Sequence, residues 1–412
     1  MNHDVIIAGA GLAGMSVALA LAAQRRRVLL LDARPVPALP AAGAGFDQRI
    51  YAISPASVAW LTELKLWQAV DAARVAPVYD MHIHGDAPDA LRLPWQPAVP
   101  SAVPPGLPGL HLSAYRAGVG ELCTIVEERE LARVLMQALG FSAGIEVLRP
   151  AGPVSLQTDD AAATLTLADG RSVSAKLIVA ADGARSWLRG AAGILTDEID
   201  YGHTAVVANF QMQRPHFNCA TQWFRQETGG GSSVLAWLPL PGNQISMVWS
   251  APDALAAELM ALPPDALAAR VGEAGGHLFG ALSPAGAAAS FPLRNQRAQR
   301  LIAARAALVG DAAHVVHPLA GQGLNLGFGD CAELARALDG VRDPGDTLVL
   351  RRYERARKAA LLEMHAITHG LQRLFAAEQP TLRALRNAGL NLIGQLPVIP
   401  RLLVQRATRT FQ

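Results

Sequence analysis

A chain of 412 residues has room for two or three domains at roughly 150 residues each. Hydrophobic residues make up 51% and charged residues 17%, the balance of a globular enzyme with greasy pockets or a face that meets lipid. A formal net charge of +2 does not imply a polyanionic partner, and no nucleic acid is expected. Cys123, Cys219 and Cys331 are odd in number, far apart and outside metal-ligand spacing. They read as reduced thiols, and no metal is expected.

The apolar stretch 5–23 is followed by Arg25, Arg26 and Arg27, but it is Gly/Ala-rich, preceded by Asp4 and interrupted by a glycine motif. It is therefore expected to be neither a membrane span nor a signal peptide, which predicts a cytoplasmic protein. Val5-Ile6-Ile7-Ala8 reads as a strand, Gly9-Ala10-Gly11-Leu12-Ala13-Gly14 as a turn, and the residues from Met15 as a helix. Gly9 permits the tight turn, Gly11 leaves space for a pyrophosphate, and Gly14 lets helix and strand pack closely. A second strand, 27–31, ends in Asp32, where an acid binds the ribose of an adenine nucleotide. No second glycine fingerprint occurs, which argues against two separate dinucleotide sites.

Further along come Asp47-Gln48-Arg49-Ile50-Tyr51-Ala52-Ile53-Ser54, then a proline-dense stretch from Pro88 to Pro108 that reads as a long irregular loop. Leu177-Ile178-Val179-Ala180-Ala181 runs into Asp182-Gly183, with Arg185 and Arg189 just beyond. Residues 204–210, 233–238 and 244–249 are strand-like, and Gly229-Gly230-Gly231 suits the turn between the first two. The apolar run 306–309 leads into Gly310-Asp311-Ala312-Ala313-His314, then His317-Pro318-Leu319-Ala320-Gly321-Gln322-Gly323-Leu324-Asn325-Leu326-Gly327. That is a strand, a Gly/Pro turn and a helix start, a place where free N–H groups and the helix dipole favour an anion or a polarised ring. Asp311 is placed to accept hydrogen bonds from sugar or ribityl hydroxyls. From Arg351 the chain turns helical and basic, and its apolar segments beside Arg401, Arg406 and Arg409 suit either a helical cap or contact with a membrane surface or partner protein. No nucleophile elbow, HExxH or CxxC occurs, so a bound cofactor must supply the chemistry.

The fingerprint at Gly9, the Asp182-Gly183 turn and the Gly310-Asp311 turn together resemble the three-motif pattern of the class A FAD-dependent aromatic monooxygenases, over nearly the whole chain. The segments 47–54 and 310–327, with Leu238-Pro239-Leu240-Pro241 and Ser246-Met247-Val248-Trp249, are similar to the ubiquinone-biosynthesis hydroxylases of that group. Val126-Glu127-Glu128-Arg129-Glu130-Leu131 resembles the family's Val-Glu-Asn-Arg-x-Leu segment but carries Glu128 in place of Asn.

The resemblance implies an α/β protein: a three-layer Rossmann-like FAD-binding domain, an inserted, mostly antiparallel substrate sheet and a helical C-terminus. The FAD domain is expected from 1–78, 112–190 and 288–345, the substrate domain from 79–111 and 191–287, and the helical region from 346–412. The implied cofactor ligands are Gly9, Gly11, Gly14, Asp32, Arg49, Asp182, Gly183, Gly310, Asp311, Pro318, Gly321, Gln322, Gly323 and Asn325. The implied reaction uses NAD(P)H, FAD and O2 to hydroxylate a polyprenylated phenol through a flavin C4a-hydroperoxide, in the cytoplasm or at the inner membrane beside a biosynthetic complex. A prenyl reductase, another aromatic hydroxylase or a non-catalytic flavin-binding scaffold remain alternatives. Ala236-Trp237-Leu238-Pro239 does not supply the Trp-x-Trp-x-Ile-Pro of flavin halogenases. His317 and Pro318 are catalytic candidates lining the ring, while His203, His314, His317 and Tyr201 are candidate bases for activating a phenol.

Overall fold

The computed structural model describes residues 3–36, 45–85, 109–227, 231–316 and 323–376, with side chains to residue 362. Its first core is built on a six-stranded sheet in the order Ile302–Ala303, Ala306–Leu308, Leu177–Ala180, Val5–Ala8, Val28–Leu31 and Ile145–Leu148. All pairs are parallel except the first. The three central apolar strands are buried at every residue, as strands covered on both faces must be. On one side lies the helix Leu12–Ala23, which packs against the helices Glu128–Gly140 and Gly323–Leu338. A smaller antiparallel sheet, Pro153–Thr158, Ala163–Leu167 and Ser172–Ala175, contributes Ala163, Leu165 and Leu167 to the same core. Each fully buried Leu or Ile here contributes about 1.5–3 kcal/mol.

The second core lies under a nine-stranded sheet. Its main path runs His314–Val315, Ala289–Ala298, Thr196–Met212, Gln244–Pro252, Ser232–Leu240, Cys219–Gln226, Asp80–His84 and Gly109–Ser113, and Leu282–Pro284 pairs with Thr196–Met212. Only Cys219–Gln226 with Asp80–His84 is parallel. Alternate residues divide its faces. Phe210, Trp237, Met247 and Trp249 pack on the helices Asp253–Ala261 and Pro264–Ala274. The opposite face meets a small sheet of Ile50–Ile53, Cys123–Glu127 and Val75–Val78 through Ala220, Leu238 and Leu240.

The protein is thus an α/β fold, a Rossmann-like unit joined to a mostly antiparallel sheet. The three strands predicted at 204–210, 233–238 and 244–249 are present but longer, because each continues along its neighbour's ladder. Ala289–Ala298 lies in the nine-stranded sheet, although the sequence places it in the 288–345 segment of the cofactor domain. Thr347–Ala376 forms a 30-residue helix. The predicted loop at 88–108, Gly229 and Gly230 of the predicted turn, and residues 377–412 lie outside the described residues. No described helix is both long and apolar enough to cross a membrane.

Candidate active site

Three turns leave the carboxyl ends of three adjacent parallel strands, Val5–Ala8, Leu177–Ala180 and Ala306–Leu308. This is where open parallel sheets form a ligand crevice. Gly9 has φ +107°, and a Cβ there would come within 2.2 Å of the Ala181 oxygen. A Cβ on Gly14 would lie 1.8 Å from the Gly9 oxygen. Gly11, by contrast, faces open space, with nothing within 4 Å of where a Cβ would stand. It precedes a helix with no side-chain cap and no acid in its first turn, leaving that helix's N–H groups to attract an anion.

Asp32 is 5% exposed, and its carboxylate accepts from the Ala10 and Arg34 amides, each at 2.8 Å. Burial acts to raise its pKa, but the hydrogen bonds from Arg34 and Ala10 prevail and hold it below the usual carboxylate range. Asp182 Oδ2 accepts from the Leu188 amide at 3.0 Å, while its Oδ1 is buried without a protein partner. Gly183 has φ +84°. Arg185 is exposed, whereas Arg189 is buried and binds the carbonyls of Ala184 and Ala312, both at 2.9 Å. Arg189 therefore ties the second turn to the third.

Gly310 has φ +61° and its amide donates to Asp330 Oδ2 at 2.9 Å. Asp311 opens to solvent, yet desolvation by the cleft walls raises its pKa against the lowering pull of His314 and Arg49. Behind this turn, Asp330 is fully buried between His314 Nε2 at 2.6 Å and Arg357 Nε at 2.7 Å. Desolvation acts to raise its pKa, but His314 and Arg357, with their hydrogen bonds, hold the carboxyl below its ordinary value. Arg357 also donates to the Leu326 carbonyl at 3.0 Å.

The Arg49 loop is held by the nine-stranded sheet. Asn209 Nδ2 donates to the Phe46 and Asp47 carbonyls at 3.2 and 2.9 Å, and Gln48 donates to Ala287 at 2.8 Å. From below, buried Glu127 accepts from the Asp47 amide at 2.7 Å and pairs with Arg74 and Arg129.

A family model described as an FAD binding domain matches residues 2–368. Ubiquinone hydroxylase UbiL of Rhodospirillum rubrum is 34% identical over 99% of this chain and 90% of its own length. The chain belongs to the FAD-dependent ubiquinone-biosynthesis hydroxylases. The 3-demethoxyubiquinol 3-hydroxylase of Escherichia coli is 31% identical over 97% of this chain and 96% of the relative. The fold is shared with p-nitrophenol 4-monooxygenase PnpA from Pseudomonas putida, with TM-score 0.76 and 19% identity over 99% and 98% of the two chains. It is also shared with Klebsiella pneumoniae HpxO, solved with FAD and uric acid, with TM-score 0.70 and 18% identity over 99% and 96%.

For this hydroxylase the structure sorts the sequence candidates. His317, Pro318, Gly321 and Gln322 lie outside the described residues, while Gly323 begins the helix Gly323–Leu338. Asn325 is fully buried: its Oδ1 accepts from Ser54 N and Ser57 Oγ, and its Nδ2 donates to Ala52 O. Its amide is thus committed inside the protein, clamping Ile50–Ile53 to the helix. Both ring nitrogens of His203 face carbonyls, of Tyr201 at 2.7 Å and Ser232 at 2.9 Å, so neither is directed at a substrate. Tyr201 accepts from Asn295 at 3.0 Å. His314 is 1% exposed and bound to Asp330, which suits it to support the turn. The sequence reading missed Asn209, Asp330 and Arg357. Asp330 alone left a trace, as an acid inside an otherwise apolar helix face.

Proposed function

We propose that the crevice holds FAD and that the chain uses NAD(P)H and O2 to hydroxylate the aromatic ring of a polyprenylated phenol in ubiquinone biosynthesis. The convergence of the three turns on adjacent strand ends carries this reading, supported by the family match over residues 2–368. The residues present fit the cofactor: open space at Gly11, an uncapped helix start, an unpartnered Asp182 Oδ1 and a solvent-open Asp311. In this assignment Gly9, Gly11 and Gly14 admit the pyrophosphate, Asp32 takes ribose hydroxyls, and Asp182 and Asp311 accept from cofactor hydroxyls or their bound waters. Arg49 reaches the flavin or its phosphates, and Gly183, Gly310 and Gly323 let backbone approach closely. Pro318, Gly321 and Gln322 are assigned to the ring side, with His317 and Pro318 kept as catalytic candidates. The division into cofactor, sheet and helical domains is part of the same proposal, with Ala289–Ala298 moved to the sheet domain.

Bound FAD, once reduced by NAD(P)H, supplies the activated oxygen that is placed on an electron-rich ring carbon. The protein must hold the ring, keep water away and orient the donors of its own turns.

A polyprenyl substrate is carried in lipid, and we assign the exposed residues at the start of the helix Thr347–Ala376 to contact with the inner membrane surface. Leu348, Arg351, Arg352 and Arg355 lie there, two-thirds exposed in the case of Leu348. Co-sedimentation with anionic vesicles, lost on charge reversal of these arginines, tests that contact.

The decisive experiment is incubation of FAD-loaded protein with NAD(P)H and a short-chain polyprenyl phenol. Substrate-stimulated NAD(P)H oxidation with a product one oxygen heavier is expected. Oxidation without any ring hydroxyl would overturn the hydroxylase reading.

A further inference from the structure

The Arg49 side chain is gripped from two sides. Its Nη1 lies 3.2 Å from Oε2 of Glu128, and its guanidinium sits 4.9 Å from the centroid of the Phe291 ring. The same Glu128 oxygen accepts from the Tyr51 hydroxyl at 3.3 Å. Backbone fixes the pair as well, since the Glu128 amide donates to the Arg49 carbonyl at 2.9 Å. Glu128 is the first residue of the helix Glu128–Gly140, where the positive end of the helix favours a carboxylate. Through Asn325, the strand Ile50–Ile53 that follows Arg49 is clamped to the helix Gly323–Leu338, which comes after the Asp311 turn in the chain and sets the pair beside the cofactor crevice. One carboxylate thus holds the guanidinium there. An amide at position 128 would make the same hydrogen bonds to Arg49 and Tyr51 without the negative charge.

We propose that Glu128 is a positioning residue that holds Arg49 at the crevice while cancelling its charge, so that FAD binding is weaker and the bound flavin harder to reduce than with an uncharged residue at 128. This rests on the FAD reading of the site. The pyrophosphate of FAD is doubly negative, and reduction adds electrons to the flavin, so an extra carboxylate opposes both. The hydrogen bonds order Arg49, and the charge sets the affinity.

The test separates these two contributions. Glu128→Gln keeps the acceptor and removes the charge, whereas Glu128→Asp keeps the charge. Each protein is freed of flavin and titrated with FAD, following the quenching of flavin fluorescence. At about 0.01 M ionic strength the Gln variant is expected to bind FAD about three- to tenfold more tightly than the wild type, with the gap largely closed at about 1 M salt. The midpoint potential of its bound flavin should be more positive. The Asp variant should follow the wild-type salt dependence. A purely structural role would predict no salt-dependent gap. If the Gln variant is insoluble, Glu128→Asn carries the same expectation. Equal or weaker FAD binding by the uncharged variant at low salt overturns the assignment alone, whereas a wild-type chain that never takes up FAD overturns the cofactor reading along with it.

Discussion

Asp330→Asn is the sharpest test of how the Gly310-Asp311 turn is held. The carboxylate is completely buried, and it serves the Gly310 amide, His314 and Arg357 at once. Arg357 is itself buried, so the amide variant leaves a guanidinium without its counter-ion. Breaking one side of such a buried pair costs about 3–5 kcal/mol. Urea unfolding followed by tryptophan fluorescence reads the loss as a lower midpoint at unchanged slope. The double variant Asp330→Asn with Arg357→Met should recover part of the loss, because no unpaired cation remains. Retained FAD should fall in the single variant, since Gly310 and Asp311 share the turn that Asp330 supports. The pH dependence has a definite sign. The folded-state pKa of Asp330 is depressed, so its contribution is complete above the unfolded carboxylate value of about 3.9 and is lost as pH falls through the folded value. The wild type should therefore lose stability below about pH 4 more steeply than the variant. A single-variant loss of less than about 1 kcal/mol would refute the network argument.

Asp311→Ala removes a carboxylate open to the crevice and is expected to weaken FAD binding by about tenfold or more, the worth of a charge-assisted hydrogen bond, with little change in the unfolding midpoint of the apoprotein. Gly11→Val should abolish FAD uptake while leaving the apoprotein folded by circular dichroism, because the added side chain enters space that is open in the protein. Gly14→Ala should do the reverse damage: a Cβ 1.8 Å from the Gly9 oxygen forces helix and strand apart, and the melting temperature of the apoprotein should drop.

The turn at Gly9 to Gly14 was legible because its demands are local. Gly9 must take a positive φ, Gly14 must admit the neighbouring backbone, and Asp32 must end the adjacent strand, all within a few dozen residues. The turns at Asp182 and Gly310 were visible for the same reason. The roles of individual side chains were less legible. Asn325 was read as a cofactor ligand from its place in the motif, but its partners Ser54, Ser57 and Ala52 come from residues more than 260 positions earlier. His203 looked like a base until the strands placed a carbonyl against each ring nitrogen. Glu128 was visible only as a departure from a pattern, and its partner Arg49 lies 79 residues away.

The order of residues along the chain is enough to set where the backbone bends, which strands are apolar enough to be buried on both faces, and which glycines leave room for a phosphate-bearing ligand. Those properties depend on residues near one another in the chain, where φ preferences and side-chain volume act directly. It took the folded arrangement to put Ala289–Ala298 in the nine-stranded sheet, Asp330 between His314 and Arg357, and Arg49 between Glu128 and Phe291. Those outcomes turn on which distant segments meet, and on whether a charge brought out of water finds its partner there.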